Sequence, residues 1–403
     1  MDSTRRTATR AYARSWQPAT RIERELRAAL RARSRDAYLR VIAGCDLFLY
    51  VPREQADGGD SVRWSTCRDL SGTWCVAVRT AGERLPRRAH KVAQRTSLRA
   101  MAELWPDAHF ALCVNPGTPT EATFPAHGRH RRRWLKAAKD AAGPSRTAPR
   151  GAVRGARQVS LLTRYDGPRT GLLAQALACG APLAVQGGLV WNDIGDVYDD
   201  YALDGQLLRE SWDTTTYREW RARMDVLLDT HTGQHEPEFA LEVRARLADG
   251  AGGHAVPADA WRAACARALA ELGAPDRLGA AVQTLVGRIV RYEARFRADG
   301  LLPPDGYVHS VAAHDYGRAV NLARWGLSAR LCGGPEARDA ILRAGALAGT
   351  RHTSWADYSA GYALGRVLRF GHEEFGEWYE TVLAPHRLLM TDPESPWLTL
   401  PWE

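Results

Sequence analysis

The sequence predicts an α+β N-terminal domain, a small mixed sheet with flanking helices, joined by a basic linker to an all-α helical C-terminal domain. Three observations carry that prediction. Short apolar or alternating runs recur between residues 46 and 114 and stop at turn residues, which is how strands read. From His127 to Gln158 the chain is rich in Arg, Ala, Gly and Pro. Beyond that stretch apolar residues recur at helical spacing. Nine of the fourteen tryptophans also lie there, material for a helical bundle with a large aromatic core. The boundaries read as 20–126, 127–158 and 159–403.

Taken in order, Ile22, Leu26, Ala29, Leu30, Leu39 and Ile42 predict an opening helix. Asp46–Val51 predicts a strand ending at Pro52, and Val62, Trp64 and Thr66 alternate with polar neighbours. Trp74–Val78 predicts a strand after the turn signal Ser71-Gly72. A helix around Leu98, Met101, Leu104 and Trp105 leads to Phe110–Val114, which stops at Asn115-Pro116-Gly117-Thr118-Pro119. In the second half, Trp220, Met224, Leu227 and Leu228 line one helix, and Trp261, Cys265, Ala268, Leu269 and Leu272 the next. Leu278 to Phe296 forms a longer helix closed by Gly300 and two prolines, and helices around 311–330 and 355–370 follow. In the closing run, Pro393, Pro396 and Pro401 exclude helix. Trp397, Leu400 and Trp402 then predict an extended strap packed on the bundle.

Charge is unevenly placed. Residues 129–157 carry ten Arg/Lys and one acid, whereas 158–403 carries 24 basic and 32 acidic side chains, so the basic stretch adjoins an acidic domain. Arg129, Arg131, Arg132, Arg133 and Lys136 offer a nucleic-acid or anionic surface, or else a segment solvated or folded against its own chain. The arginine excess is chain-wide, in keeping with a GC-rich coding bias. Residues 1–20 are polar with no apolar core segment, and the uncharged run Gly171–Trp191 is broken by glycines and Pro182. A cytoplasmic protein without a membrane span is expected. The seven cysteines form no C-x-x-C pair and read as buried apolar thiols. His231 and His235 have a two-ligand spacing, but a surface loop fits better, and no metal or cofactor is expected. Phosphate-loop, dinucleotide and G-x-S-x-G fingerprints are missing from the sequence.

The residues that would carry chemistry come late. His314, Arg318, Asn321 and Trp325 fall along one helix face, with Asp315 beside them. A later helix begins at Ser354, with Asp357 at capping-box spacing, and carries Gly361, Tyr362, Gly365 and Arg366. If the two helices pack, Asp315, Arg318, Asn321 and Arg366 converge in a pocket walled by Trp325 and Tyr362. Arg324 is a further ligand-binding candidate.

Asp46 to Pro52 and Ala111 to Pro119 resemble the N-terminal domain of SseB-like proteins. Asp315–Arg318, Asn321–Trp325, Ser354-Trp355, Gly365-Arg366 and Asp392–Trp402 together resemble the bacterial family called domain of unknown function 1266. His314 stands where that family is expected to have tryptophan, and Leu331–Pro335 replaces its usual turn. The first resemblance implies an accessory role beside bacterial secretion or toxin loci, immunity-like and with a bacterial protein partner. The second implies no reaction. Two readings stay open. One is a non-enzymatic adaptor. The other is an enzyme or small-anion receptor with Asp315 as base, His314 as proton shuttle and arginine forks for the anion, set against a purely structural Asp–Arg–Asn network.

Overall fold

The computed structural model describes residues 16–57, 64–69, 71–85, 88–107, 109–141, 159–195, 200–229, 235–250, 256–371 and 375–403. Helices α1 (Arg21–Arg31) and α2 (Arg35–Ala43) open the N-terminal half. Each begins at a hydroxyl cap: Thr20 accepts from the Ile22 N–H and Ser34 from the Ala37 N–H, satisfying donors the helix leaves over. There follow β1 (Leu47–Pro52), a short α3 (Arg53–Asp57), β2 (Thr66–Arg68), β3 (Trp74–Val78), β4 (Lys91–Thr96), α4 (Leu98–Glu103), β5 (Ala111–Val114) and β6 (Ala122–Phe124).

The strands form two small sheets. β1 pairs antiparallel with β4, and the other sheet has the order β2-β3-β5-β6, with β3 and β5 parallel. The Phe48 N–H donates to the Arg79 carbonyl at 2.8 Å and joins them. The parallel pair needs a long crossover, supplied by β4 and α4. β4 and β6 are absent from the sequence reading, the first because Lys91, Gln94 and Arg95 break its apolar pattern. The alternation at Val62 falls outside the described residues.

The segment read as linker from residue 127 folds in part. Gly128–Ala141 is a helix, α5, whose Trp134 is buried against Trp105, ring centroids 5.3 Å apart. Trp134 stands among arginines, and Leu135 and Ala137 pack partly against the same core. Arg131 donates to the Ala102 carbonyl, Arg129 to the His130 ring at 3.3 Å, Arg133 pairs with Asp36 and Lys136 with Asp140, so four of the five proposed nucleic-acid contacts are engaged within the chain.

The C-terminal half is all helical: α6 (Gly171–Cys179), α7 (Ala181–Gly187), α8 (Tyr201–Trp212), α9 (Tyr217–Leu228), α10 (His235–Gly250), α11 (Ala258–Glu271), α12 (Asp276–Asp299), α13 (Ala312–Ser328), α14 (Gly334–Arg351), α15 (Trp355–Phe370), α16 (Glu377–Thr391) and α17 (Pro396–Thr399). α13 is the axis of the bundle. It packs against α6, α7, α8, α9, α14 and α15, and every residue of it except Ala312 and Arg318 is buried. No helix among the described residues is long and apolar enough to cross a membrane.

The prolines of the tail do not exclude helix. Pro396 stands at the first position of α17, where a missing N–H costs nothing, and Ser395 caps it by accepting from the Trp397 N–H. The tail does pack on the bundle. Trp397 Nε1 donates to the Ala178 carbonyl, Trp355 Nε1 to Leu400 and Trp402 Nε1 to His352.

The two halves touch directly. Phe48 and Ala81 share a small apolar core with Leu162 and Val190. Around it the Tyr165 N–H donates to the Ala19 carbonyl at 2.7 Å and Tyr201 Oη to Asp57 at 2.6 Å.

Candidate functional site

The start of α13 is built by its neighbours. Glu238 of α10 accepts from Ser310 Oγ at 2.8 Å and from the Val311 N–H at 2.5 Å, placing a carboxylate where the helix dipole favours one. α15 comes close because it presents glycine: a Cβ on Gly365 would lie 2.7 Å from His314 Cβ and 2.9 Å from the Val311 carbonyl. Ser354 and Asp357 make the cap expected of them, with the Asp357 N–H donating to Ser354 Oγ at 3.1 Å.

The predicted site residues divide into three groups. Asp315 and Arg318 meet, one helical turn apart, at 3.0 Å. Arg318 also lies over the Trp212 ring, 4.5 Å from its centroid. The wall is therefore Trp212 of α8, a residue the sequence did not single out, and Trp325 is buried behind it, 6.3 Å from the same ring. His314 and Tyr362 form a second group with ring centroids 5.4 Å apart. Burial, reinforced by the charges of Arg318, Arg366 and Arg369, holds the His314 imidazole well below its ordinary pKa. Arg366 borders this second group, not the first: its Nε donates to Thr381 Oγ1 at 3.0 Å and its guanidinium lies 5.6 Å from the Trp378 ring centroid.

Asn321 and Arg324 make a third group, further along α13. Asn321 Nδ2 donates to the Gly180 and Gly317 carbonyls at 3.0 and 2.9 Å, and Arg324 donates to the Val190 carbonyl. The predicted convergence of Asn321 with Asp315, Arg318 and Arg366 therefore does not occur. One helix face spans several turns, and each turn meets a different neighbour.

Two adjoining cavities meet at Asp315. The first, about 660 Å³, has an apolar wall that includes Leu227, Phe239, Leu269 and Val282. Its polar lining is Asp229, Glu236, Glu238, Glu242, Asp315, Tyr316 and one arginine, Arg351. The second, about 740 Å³, is bordered by Trp212, Arg223, Glu236, Arg288, Arg318 and Arg369, and also includes Asp315 and Leu227. Burial raises the carboxyls of Asp315 and Glu238 above their ordinary range, against the pull of Arg318 on the first and of Ser310 and the Val311 N–H on the second. Burial likewise lowers Arg318. Among the described residues no group of three or more His, Cys, Asp or Glu is placed to hold a metal. His231 lies outside them.

Elsewhere, two networks unseen in the sequence are architectural. Arg244 and Glu293 pair twice, at 2.9 and 2.8 Å, fully within the bundle. In the N-terminal half, Glu23 accepts from Thr20 Oγ1, Thr80 Oγ1 and the Gly82 N–H. Asn115, held at φ +53, bonds Thr80 and Thr120 beside it.

Comparison with known families finds two matches. Residues 22–128 match the SseB protein N-terminal domain, and residues 207–402 match a protein of unknown function, DUF1266. Both resemblances drawn from the sequence are found. The SseB match takes in all the strands and the first residue of α5, and the DUF1266 match runs from α8 through the tail. α6 and α7 precede that match yet share its core, since Ala174, Leu177, Ala184 and Val185 are buried with the bundle. No curated protein and no solved structure matches the chain.

Proposed function

We propose that the protein is a non-enzymatic binding protein of bacterial, cytoplasmic type, an adaptor whose DUF1266 domain recognises a protein partner in the cleft at Asp315. The supporting observation is the lining of the first cavity, where five carboxylates and one arginine border an apolar wall. Charge complementarity selects the occupant: a segment carrying arginine or lysine beside apolar side chains, the cation reaching Asp315 and Glu236 and the apolar groups meeting Leu227 and Phe239. A small anion, the alternative drawn from the sequence, would face mostly carboxylates on this side. The proton-shuttle role is disfavoured for His314, whose ring is wholly buried at 0% exposure. The SseB domain packs against the bundle through Arg95 and Asp200, so the adaptor presents both domains as one scaffold.

Fluorescence polarisation with a labelled leucine- and arginine-containing peptide tests the proposal. Saturable binding is expected, weakened by salt and reduced at least tenfold in Glu236→Gln. Equal binding of the same peptide with glutamate in place of arginine would overturn it.

A further inference from the structure

Three of the cysteines that read as scattered apolar thiols stand in a row on one face of the four-stranded sheet. Cys67 of β2 is directly opposite Cys75 of β3 in the antiparallel register, and their sulfurs are 3.4 Å apart. Cys113 of β5 lies beside Ala77, two residues along the same face of β3. The three pack together with Ala111, apart from the main core of the domain. Directly opposed residues of an antiparallel pair have Cα atoms about 4.5–5.5 Å apart, inside the window of about 4.4–6.8 Å that a disulfide spans. Closing the bond asks for a side-chain adjustment and no movement of the strands.

We infer that Cys67 and Cys75 are a reversible redox pair that closes to a cross-strand disulfide on exposure to a two-electron oxidant of the peroxide class. The two thiols differ in access. Cys67 is half-buried on the outer strand β2, whereas Cys75 and Cys113 are buried. Burial pushes the Cys75 thiol up strongly and the Cys113 thiol up to about 12. Cys67 is therefore the sulfur that reacts first.

Its thiolate attacks one peroxide oxygen; the O–O bond breaks, the other oxygen leaves as hydroxide and becomes water, and Cys67 becomes a sulfenic acid. The Cys75 sulfur, already in van der Waals contact, attacks that sulfur; the S–O bond breaks, the hydroxyl takes the thiol proton, and a second water leaves. One peroxide is reduced and two thiols are oxidised. The bridge ties the outer strand β2 to β3, and a dithiol reductant restores both thiols by exchange. Cys113, with no opposed thiol in register, stays reduced.

The test is mass spectrometry of the full chain, treated with stoichiometric hydrogen peroxide, unfolded in alkylating reagent and digested. The expected product joins the Cys67 and Cys75 peptides two hydrogen masses below their sum, disappears with dithiothreitol, forms unchanged in Cys113→Ser and is lost in Cys67→Ser. Accumulation of Cys67 sulfinic acid with Cys75 alkylated would overturn the inference. So would a Cys75–Cys113 bridge, or loss of the product in Cys113→Ser while circular dichroism shows a folded chain.

Discussion

Arg95 of β4 and Asp200, the residue that precedes α8, form an ion pair across the domain boundary, Nε to Oδ2 3.0 Å, with the Arg95 N–H donating to Oδ1 at 3.2 Å. The same guanidinium reaches Asp46 and the Gly187 carbonyl, both at 3.3 Å. Asp200 is 2% exposed, and burial pushes its carboxyl up while Arg95 pulls it down. A charge so deeply buried is tolerable only with its partner in place. Together with the apolar contact of Phe48, Ala81, Leu162 and Val190, this pair joins two domains, each with its own core.

Arg95→Ala should therefore cost about 3–5 kcal/mol, the usual penalty for leaving a buried charge unpaired. It should also separate the unfolding of the two halves. Urea denaturation followed by tryptophan fluorescence and by far-UV circular dichroism checks this. The wild type should give coincident transitions and the variant two. A single transition at an unchanged midpoint would show that the apolar contact of Phe48, Ala81, Leu162 and Val190 suffices alone.

Glu83 makes stability depend on pH. Burial raises its carboxyl to about 7, opposed by the Trp16 Nε1–H that donates to it at 2.8 Å. Because the folded pKa lies above the unfolded one, the folded state holds the proton more tightly. Its contribution is present in full below pH 4 and is lost as pH rises through about 7. The size is on the order of 3 kcal/mol, from 1.36 kcal/mol per pKa unit. Glu83→Gln, which keeps an acceptor for Trp16, should have little effect near pH 4 and should stabilise the protein at pH 8. Melting curves at the two values decide it, and a variant-to-wild-type difference that does not grow with pH would refute the assignment.

Local features of this chain were legible, and distant pairings were not. Apolar runs gave away β1, β3 and β5, and the helix carrying Gly361 and Gly365 is the one that comes onto His314. β4 stayed hidden because four of its six residues are polar, and its position depends on pairing with β1. Trp134 was lost among arginines, although it anchors α5. Arg95–Asp200 and Arg244–Glu293 join residues too far apart in the chain for any periodicity to couple them. Asn321 was read with Asp315 because they share a helix, but neighbouring elements, not the helix itself, decide where each side chain finds partners.

The tail makes a third prediction. Trp355 stacks on Trp397 with ring centroids 5.8 Å apart, and Trp402 meets the same ring edge-on at 4.7 Å. Trp397→Ala removes a buried ring and leaves the Ala178 carbonyl without its indole donor, a loss of about 3–5 kcal/mol. Deleting residues 392–403 should uncover Trp355 and cause aggregation. Size-exclusion chromatography reads the outcome, and a monomeric, soluble truncated chain would contradict it.

Asn321 and Asp315 sit on one helix and predict opposite phenotypes. Asn321 is 1% exposed, and its amide staples Gly180 to α13 outside the lining of either cavity. Asn321→Ala should cost about 1–3 kcal/mol, the penalty for orphaning a buried acceptor, and leave peptide affinity unchanged. Asp315→Asn keeps the shape and an acceptor for Arg318 but removes a charge that borders both cavities. It should shift the melting temperature little and weaken the arginine peptide at least tenfold. The reverse pattern, affinity lost with Asn321 and stability lost with Asp315, would make the Asp315–Arg318 pair a packing element and leave recognition to Glu236.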